Sequence, residues 1–185
     1  MSWHKFTEER AHKLLDDKRR DVLTPDDAKK LLDVQEGETV ADFGAGNGYF
    51  TLPLAMQTSA FVYAIDREVE MLNWLHARAD AEELTNLVYV NSNLENIKVE
   101  SGTIDKAIHA FVMHELPNKE KVLAEFKRLM KPSGKLVIFE WAQTTSEEGN
   151  RVPKEKMKEL LEREGLKPTM MSLNDMVYAA VVEFS

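Results

Sequence analysis

The sequence predicts an α/β fold: a doubly wound, mostly parallel sheet of seven strands that ends in an antiparallel hairpin strand. Three observations support this. Short β-branched and apolar runs alternate with stretches of helical spacing, as in successive βαβ units. The run KLVIF is continuously apolar, which is typical of a strand buried on both faces. The 185 residues suffice for one core but hardly for two domains, and we find no repeat or linker.

The first element that its end signals predict is a helix. Thr24-Pro25-Asp26-Asp27 supplies a hydroxyl cap, a first-turn proline and two acids, and the helix should stop before Gly37. The preceding residues scatter their apolar side chains among charges. We therefore divide the single domain into an N-terminal helical cover, 1–24, and a core, 25–185.

The remaining elements follow in order. Five runs predict parallel strands: TVADFG (39–44), FVYAID (61–66), LVYVNS (87–92), IDKAIHAFV (104–112) and KLVIFEW (135–141). YFTLPLAMQ, REVEMLNWLHARADAEE and NKEKVLAEFKRLMK have helical spacing between them, and Lys131-Pro132-Ser133-Gly134 should end the last of these. After the helix KEKMKELLERE, PTMMSL and MVYAAVVEFS flank Asn174-Asp175, which predicts a hairpin.

Composition excludes several partners. A formal charge of −8 argues against nucleic acid, whose phosphates require clustered Lys and Arg. No apolar run is long enough to span a membrane, and the charged N-terminus lacks the apolar centre of a secretory signal. The absence of cysteine excludes disulfides and thiolate metal sites and suits a reducing compartment. We expect a cytoplasmic protein with a small neutral or cationic ligand.

The stretch VADFGAGNGYFT (40–51) is the candidate binding loop. Gly44, Gly46 and Gly48 follow the first strand at alternate positions, directly after the acid Asp42. Glycine accepts any backbone dihedral and leaves no Cβ, so a ligand can touch the main chain itself. The alternative is a tight strand-to-helix turn without a ligand. In open α/β sheets, however, ligands bind at this end of the strands.

The identity of the ligand depends on spacing and on nearby acids. A dinucleotide loop has the pattern G-x-G-x-x-G, whereas this loop reads G-x-G-x-G. Asp42 would welcome an ammonium group and repel a phosphate. Asp66, at the end of the second strand, can accept both hydroxyls of a ribose. It can also cap the helix that follows, and the two roles are compatible.

These landmarks together resemble the class I S-adenosylmethionine-dependent methyltransferases, which have a Rossmann-like fold. Asp42-Phe43-Gly44-Ala45-Gly46-Asn47-Gly48 is similar to their first motif. Asp66, Ser92-Asn93-Leu94, IDKAIHAFVMHEL and LAEFKRLMKPSGKLVIFEW follow in the family's order. The similarity covers residues 39–141, and the upstream LLDDKRRDVLTPDDAKKLL resembles a small bacterial subgroup.

The resemblance implies a cofactor, S-adenosyl-L-methionine, and a role for each matching residue. The loop would pass beneath the methionine part, Asp42 would hold its amino group, and Asp66 would grip the ribose. Asn93 stands where the family usually has Asp and would pair with the adenine amino group. The residues implied in cofactor binding are Asp42, Gly44, Ala45, Gly46, Gly48, Asp66, Arg67, Met71, Asn93 and Leu94. No metal is implied.

Methyl transfer mainly requires placing a nucleophile in line with the methyl group, and a base helps if the acceptor must lose a proton. The candidate bases are His109 and His114, near the end of the fourth strand. The alternative is that both are structural, with His114-Glu115 fixing its loop through hydrogen bonds to backbone. A zinc-protease site is not indicated, because no second His follows at helical spacing.

The candidate acceptor-pocket residues are Trp141, Tyr178, Phe6 and Arg10. Tryptophan at such a position is also typical of core, and the N-terminal pair belongs to a segment that either covers the pocket or packs elsewhere. With no inserted domain to grip a macromolecule, we predict a small-molecule acceptor and a monomer or homodimer. The alternatives are a non-catalytic cofactor-binding sensor or partner subunit and, less well matched by the glycine spacing, a nicotinamide-dependent oxidoreductase.

Overall fold

The protein is described by a computed structural model over residues 20–142 and 151–185, and its centre is a seven-stranded sheet. The strands are β1 (Val40–Phe43), β2 (Val62–Asp66), β3 (Leu87–Asn91), β4 (Ile104–Ala110), β5 (Met130–Trp141), β6 (Pro168–Ser172) and β7 (Val177–Glu183). Their order is β3-β2-β1-β4-β5-β7-β6. β1 to β5 are parallel, and β7 is antiparallel to both of its neighbours. The predicted fold class is confirmed.

Helices connect the strands and cover the sheet. They are α1 (Pro25–Leu32), α2 (Thr51–Ala55), α3 (Val69–Ala81), α4 (Lys119–Leu129) and α5 (Lys154–Arg163), with a 3-10 turn at Met113–Glu115. The start of α1 follows its predicted signals: Thr24 Oγ1 accepts a hydrogen bond of 3.1 Å from the Asp27 amide, and Pro25 occupies the first turn.

The core lies on both faces of the sheet. On one face the Phe43 and Phe126 rings stack with centroids 4.1 Å apart, which joins β1 to α4. On the other face Leu32 of α1 and Val40 of β1 belong to a second buried cluster. Because β1 is buried on both faces, its side chains leave no room for a ligand except at its carboxyl end.

The C-terminal hairpin also follows its predicted turn chemistry. Asn174 Oδ1 accepts hydrogen bonds from the backbone amides of Met176 and Val177 at 2.8 and 2.9 Å. Its amide nitrogen donates to the Val22 carbonyl at 2.9 Å, which ties the hairpin to the start of the described chain.

Two element boundaries differ from the prediction. The fourth strand ends at Ala110, because Phe111 has a positive φ of 60° and turns the chain out of the sheet. The helix α4 ends at Leu129, before the expected turn, and β5 begins at once with Met130. An irregularity in the β4–β5 register absorbs the extra residues, including Ser133 with a φ of 66°.

The strand order places the site. The chain moves outward from β1 through β2 to β3 and then returns to β4 on the other side of β1, so the order reverses between β1 and β4. In open α/β sheets this switch point opens a crevice at the carboxyl ends of the strands. No helix in the described part of the chain is both long and apolar enough to cross a membrane.

Candidate functional site

A cavity of about 370 Å³ opens at the switch point, at the carboxyl ends of β1, β2 and β4. We call it the first cavity. This volume lies within the range of small-molecule sites. Nine of the ten residues predicted to bind cofactor line it: Asp42, Gly44, Ala45, Gly46, Asp66, Arg67, Met71, Asn93 and Leu94.

The glycine loop is held open by its backbone. Gly44 and Gly46 have φ values of 88° and 54°, a region that side chains disfavour. The amides of Gly44 and Ala45 both donate to the Ile65 carbonyl, at 2.8 and 3.0 Å, so the loop is anchored to β2. The main chain of the loop therefore borders the cavity directly.

Asp66 joins the loop to the end of β2. Its Oδ2 accepts a hydrogen bond of 2.8 Å from the Gly46 amide, and its Oδ1 accepts one of 2.9 Å from the Glu68 amide. Burial raises the pKa of Asp66 above its usual value, and the two backbone hydrogen bonds act in the opposite direction. Each carboxylate oxygen has further acceptor capacity, so these contacts leave Asp66 able to accept hydroxyl groups.

Asp42 is almost fully buried at the floor of the cavity, with 2% of its surface exposed. Its Oδ2 accepts a hydrogen bond of 2.7 Å from the Thr51 hydroxyl. Thr51 is the first residue of α2, so the floor is braced by the helix that follows the loop.

Asn93 and Leu94 form the opposite wall, beyond β3. Asn93 Oδ1 accepts a hydrogen bond of 2.9 Å from the Glu95 amide, so the side-chain oxygen already supports its own turn. Leu94 is buried, and Met71 of α3 is buried beside the loop. The wall thus combines an apolar surface with one polar edge.

The structure gives Gly48 a packing role, and its predicted part in cofactor binding stays a prediction. Gly48 does not line the first cavity. Its φ is 90°, and a Cβ there would lie 2.9 Å from Cγ of Leu75 on α3. Glycine at this position lets α3 pack against the loop, which is a structural requirement.

The prediction that His109 is catalytic is also wrong. The ring of His109, a residue of β4, is fully buried and packs edge-on against Phe126 of α4. Its Nδ1 lies 2.7 Å from the Phe43 carbonyl oxygen. Burial lowers its pKa to about 4. His109 does not line the cavity, so it cannot touch a substrate there.

His114 contacts a side chain that neither sequence-based interpretation, a catalytic base or a residue bonded to backbone, had predicted. Its Nδ1 lies 2.9 Å from both carboxylate oxygens of Glu140, a fully buried residue of β5. The expected contact was with backbone. His114 lines a second cavity, on the far side of the 3-10 turn, and its neighbour Glu115 lines the first. A catalytic role for His114 therefore stays a prediction.

The two acceptor-pocket candidates that the structure describes, Trp141 and Tyr178, do not line the first cavity. Tyr178 is fully buried, and its hydroxyl donates a hydrogen bond of 2.6 Å to the Val152 carbonyl, so it belongs to the core. Trp141 stands one layer behind the cavity, with its ring centroid 4.6 Å from that of Phe111. Phe6 and Arg10, like the rest of the predicted cover up to residue 19, lie outside the described residues.

Sequence reasoning missed much of the apolar wall. Tyr49, Phe50, Phe111, Val112 and Leu116 line the first cavity. Tyr49 and Phe50 directly follow the glycine loop, which was a usable signal. The others follow β4, where the left-handed Phe111 redirects the chain, and no sequence pattern announced that turn.

The charge of the cavity is strongly negative. Its walls carry five carboxylates against a single arginine: Asp42, Asp66, Glu68, Glu95 and Glu115 against Arg67. A cleft lined by one sign of charge concentrates ligands of the opposite sign. Among residues 20–142 and 151–185, no group of three His, Asp or Glu side chains is positioned to hold a metal ion.

The switch-point crevice, the backbone-lined loop and the carboxylate at the end of β2 are what a class I S-adenosylmethionine-dependent methyltransferase requires. Residues 41–138 match the family model described as a methyltransferase domain, so the chain belongs to that family and the predicted resemblance is confirmed.

Individual relatives agree with this assignment. A demethylmenaquinone methyltransferase from a Geobacillus species is 30% identical over 129 residues, which are 69% of this chain and 55% of that protein. A crystal structure of a SAM-dependent methyltransferase from Aquifex aeolicus has a TM-score of 0.88 and 26% identity, covering 98% of this chain and 100% of that one. Geranyl diphosphate methyltransferase in complex with SAM shares the fold, with a TM-score of 0.76 at 16% identity over 98% and 92% of the two chains. The chain spans about half the length of the curated relatives it matches.

Proposed function

We propose that this protein is an enzyme that transfers the methyl group of S-adenosyl-L-methionine to a small-molecule acceptor by in-line displacement. The observation that carries the proposal is the hydrogen bond between Asp66 and Gly46 at the edge of an acidic cavity. It places a carboxylate and bare main chain side by side, where a nucleoside and its amino-acid arm would have to lie together.

The residues present fit the cofactor chemically. It carries an ammonium, a sulfonium and a carboxylate group and is a cation overall, and the acidic lining of the first cavity attracts a cation. Asp42 would receive the amino group, and Asp66 would accept the ribose hydroxyls. Asn93 and the backbone of Leu94 would meet the adenine edge, with Arg67 and Met71 beside the ring.

When bound, the cofactor supplies a methyl group already activated on a positively charged sulfur. The protein has to orient the acceptor and exclude water, which can lower a barrier by about 7–11 kcal/mol. The acceptor's nucleophilic atom would form a bond to the methyl carbon while the carbon–sulfur bond breaks, leaving S-adenosylhomocysteine. Phe50, Phe111 and Leu116 would supply the apolar walls that hold the acceptor.

The apolar and aromatic wall favours an acceptor with a planar, apolar ring. Relatives are named demethylmenaquinone methyltransferases, and we propose a quinone ring in its reduced, hydroquinone form, which is the nucleophilic form, as the first acceptor to test. We further propose that the enzyme works in the cytoplasm, as a monomer or homodimer, without nucleic acid as a partner.

A second candidate is a cofactor-binding protein without catalysis. It is favoured by the position of the histidines, since His109 is buried and neither ring lines the first cavity. Catalysis without a histidine base nevertheless remains chemically feasible, because an acceptor that ionises in solution, such as a thiol or an acidic phenol, would need no base from the protein.

The test combines binding with turnover. Calorimetry with S-adenosylhomocysteine should give micromolar affinity, and incubation of S-adenosylmethionine with hydroquinones, phenols, thiols and amines should release S-adenosylhomocysteine with at least one of them. Binding without turnover across the whole panel would favour the non-catalytic candidate. If calorimetry detects binding of neither S-adenosylhomocysteine nor S-adenosylmethionine, both candidate functions are refuted.

A further inference from the structure

We propose that the second cavity is a binding site for an organic anion, a carboxylate or phosphate ester attached to an apolar group. This cavity has a volume of about 300 Å³ and lies between the start of α4, the 3-10 turn and one face of α5. The inference does not depend on the proposed methyltransferase activity.

The charge of this cavity is opposite to that of the first. Lys119, Arg151, Lys156 and Arg163 line it, together with only two acids, Glu120 and Glu159. The chain as a whole carries a formal charge of −8, so a local excess of cations in a concave surface is a departure from its average. Such a surface attracts anions and repels the cationic ligand that we expect in the first cavity.

The cations come from one helix face and from fixed neighbours. Lys156 and Arg163 are seven positions apart on α5, about two turns, so they project from the same side of the helix. Neither has an ion-pair partner among the residues that the structure describes. Their charge is therefore available to a ligand.

Arg151 lies just before α5, lines the same cavity and rests against an aromatic ring. Its guanidinium carbon lies 4.6 Å from the centroid of the Trp141 ring, within the range of a cation–π contact. The ring contact holds the positive charge of this guanidinium at the edge of the cavity.

The cavity also has an apolar floor. Val152 and Leu160 line it and are themselves buried, with 6% and 8% of their surface exposed. A purely inorganic ion would make no use of the small apolar surface that these two side chains expose. An anion with an apolar portion covers the floor and places its charge among the cations.

The imidazole of His114 completes the wall. Its Nδ1 is occupied by the buried Glu140, and Lys119 Nζ donates a hydrogen bond of 2.6 Å to the Leu116 carbonyl. These contacts fix the turn that separates the two cavities. The second cavity therefore has a rigid edge on the side of the cofactor site.

Phenyl phosphate is the probe, titrated into the full chain at low ionic strength by calorimetry. We expect saturable binding in the millimolar range or tighter, weakened about threefold or more by Lys156→Gln or Arg163→Gln and about tenfold by both together. The matched control is Lys158→Gln, which removes the same charge from the same helix at a residue paired with Glu162. It should leave the affinity unchanged, and circular dichroism should show every variant folded.

Further arms separate the alternatives. Inorganic phosphate should bind more weakly than phenyl phosphate, and benzyl alcohol should not bind measurably at the same concentrations. Affinity for S-adenosylhomocysteine should be the same in all variants, which keeps this test distinct from the methyltransferase proposal. The proposal is overturned if phenyl phosphate does not saturate, if Lys158→Gln weakens it as much as Lys156→Gln, or if inorganic phosphate or benzyl alcohol binds equally well.

Discussion

Replacing Asp66 by Asn should remove most of the affinity for S-adenosylhomocysteine while preserving the shape of the side chain. The carboxylate accepts amides on both oxygens, from Gly46 at 2.8 Å and from Glu68 at 2.9 Å. In Asn one of these positions becomes an amide nitrogen that faces another donor. The oxygen that remains is neutral, and it already accepts a hydrogen bond from a backbone amide, so it is a weaker acceptor for a ligand hydroxyl.

The magnitude follows from the kind of bond lost. Hydrogen bonds to a charged group contribute about 1.5–3 kcal/mol each. Loss of one such bond to a ribose hydroxyl, with weakening of the second, gives about 2–3 kcal/mol. That corresponds to a dissociation constant raised about 30- to 150-fold.

Calorimetry against S-adenosylhomocysteine measures the change, with Asp80→Asn as the control. Asp80 lies on the exposed side of α3, where it contacts His76 at 3.2 Å and does not line the first cavity. The control should bind as the original chain does. If folded Asp66→Asn binds within about threefold of the original, the assignment of Asp66 to the ribose is refuted.

The same carboxylate predicts a pH dependence of binding. Burial raises the pKa of Asp66, so in the free protein it takes up a proton at a higher pH than an ordinary aspartate does. Ribose hydroxyls need the ionised form as an acceptor. Affinity should therefore be complete well above that pKa and fall as the pH is lowered through it, and Asp66→Asn should lack this component of the pH profile.

Three further predictions concern stability, each measured by urea unfolding. Gly48→Ala should lose about 1–3 kcal/mol, because its φ of 90° is strained for alanine and its Cβ would lie 2.9 Å from Leu75; an unchanged midpoint would contradict the packing role. The pKa of His109 is lowered to about 4 from 6.5, so the native state excludes a proton that the unfolded chain binds. Stability should fall by up to about 3 kcal/mol from pH 6.5 to 4, and by less in His109→Asn; equal slopes would contradict this. Tyr178→Phe should lose about 1–2 kcal/mol through the unpaired Val152 carbonyl, without weakening S-adenosylhomocysteine binding; weaker binding would restore Tyr178 to the pocket.

The sequence was informative wherever a local rule governs the structure. The cap at Thr24, the hairpin at Asn174 and the apolar strands all depend on neighbours within a few residues. The cap and the hairpin appear where they were predicted, and so do the strands apart from the end of β4 and the start of β5. Asp42 and Asp66 were also predictable, because the end of a parallel strand fixes where its last side chains lie.

The rest depended on contacts distant in sequence. Gly44 and Gly48 look alike in the glycine pattern, and a Cβ at either would crowd a side chain, Val112 at 3.0 Å and Leu75 at 2.9 Å respectively. Only Gly44 also lines the first cavity. His109 and His114 stand five positions apart at one strand end. Phe126 from α4 covers the first, and Glu140 from β5 captures the second.

The link between Asp66 and the Gly46 amide has a consequence for how a ligand is received. Because the carboxylate is already bonded to two amides, its rotamer is selected when the chain folds, and the loop conformation is selected with it. Ordering one flexible side chain on association typically costs about 0.5–1.5 kcal/mol. The Asp66 side chain and the glycine loop are therefore ordered before a nucleoside enters the crevice. Its association should be fast, and little conformational entropy should be lost at these groups.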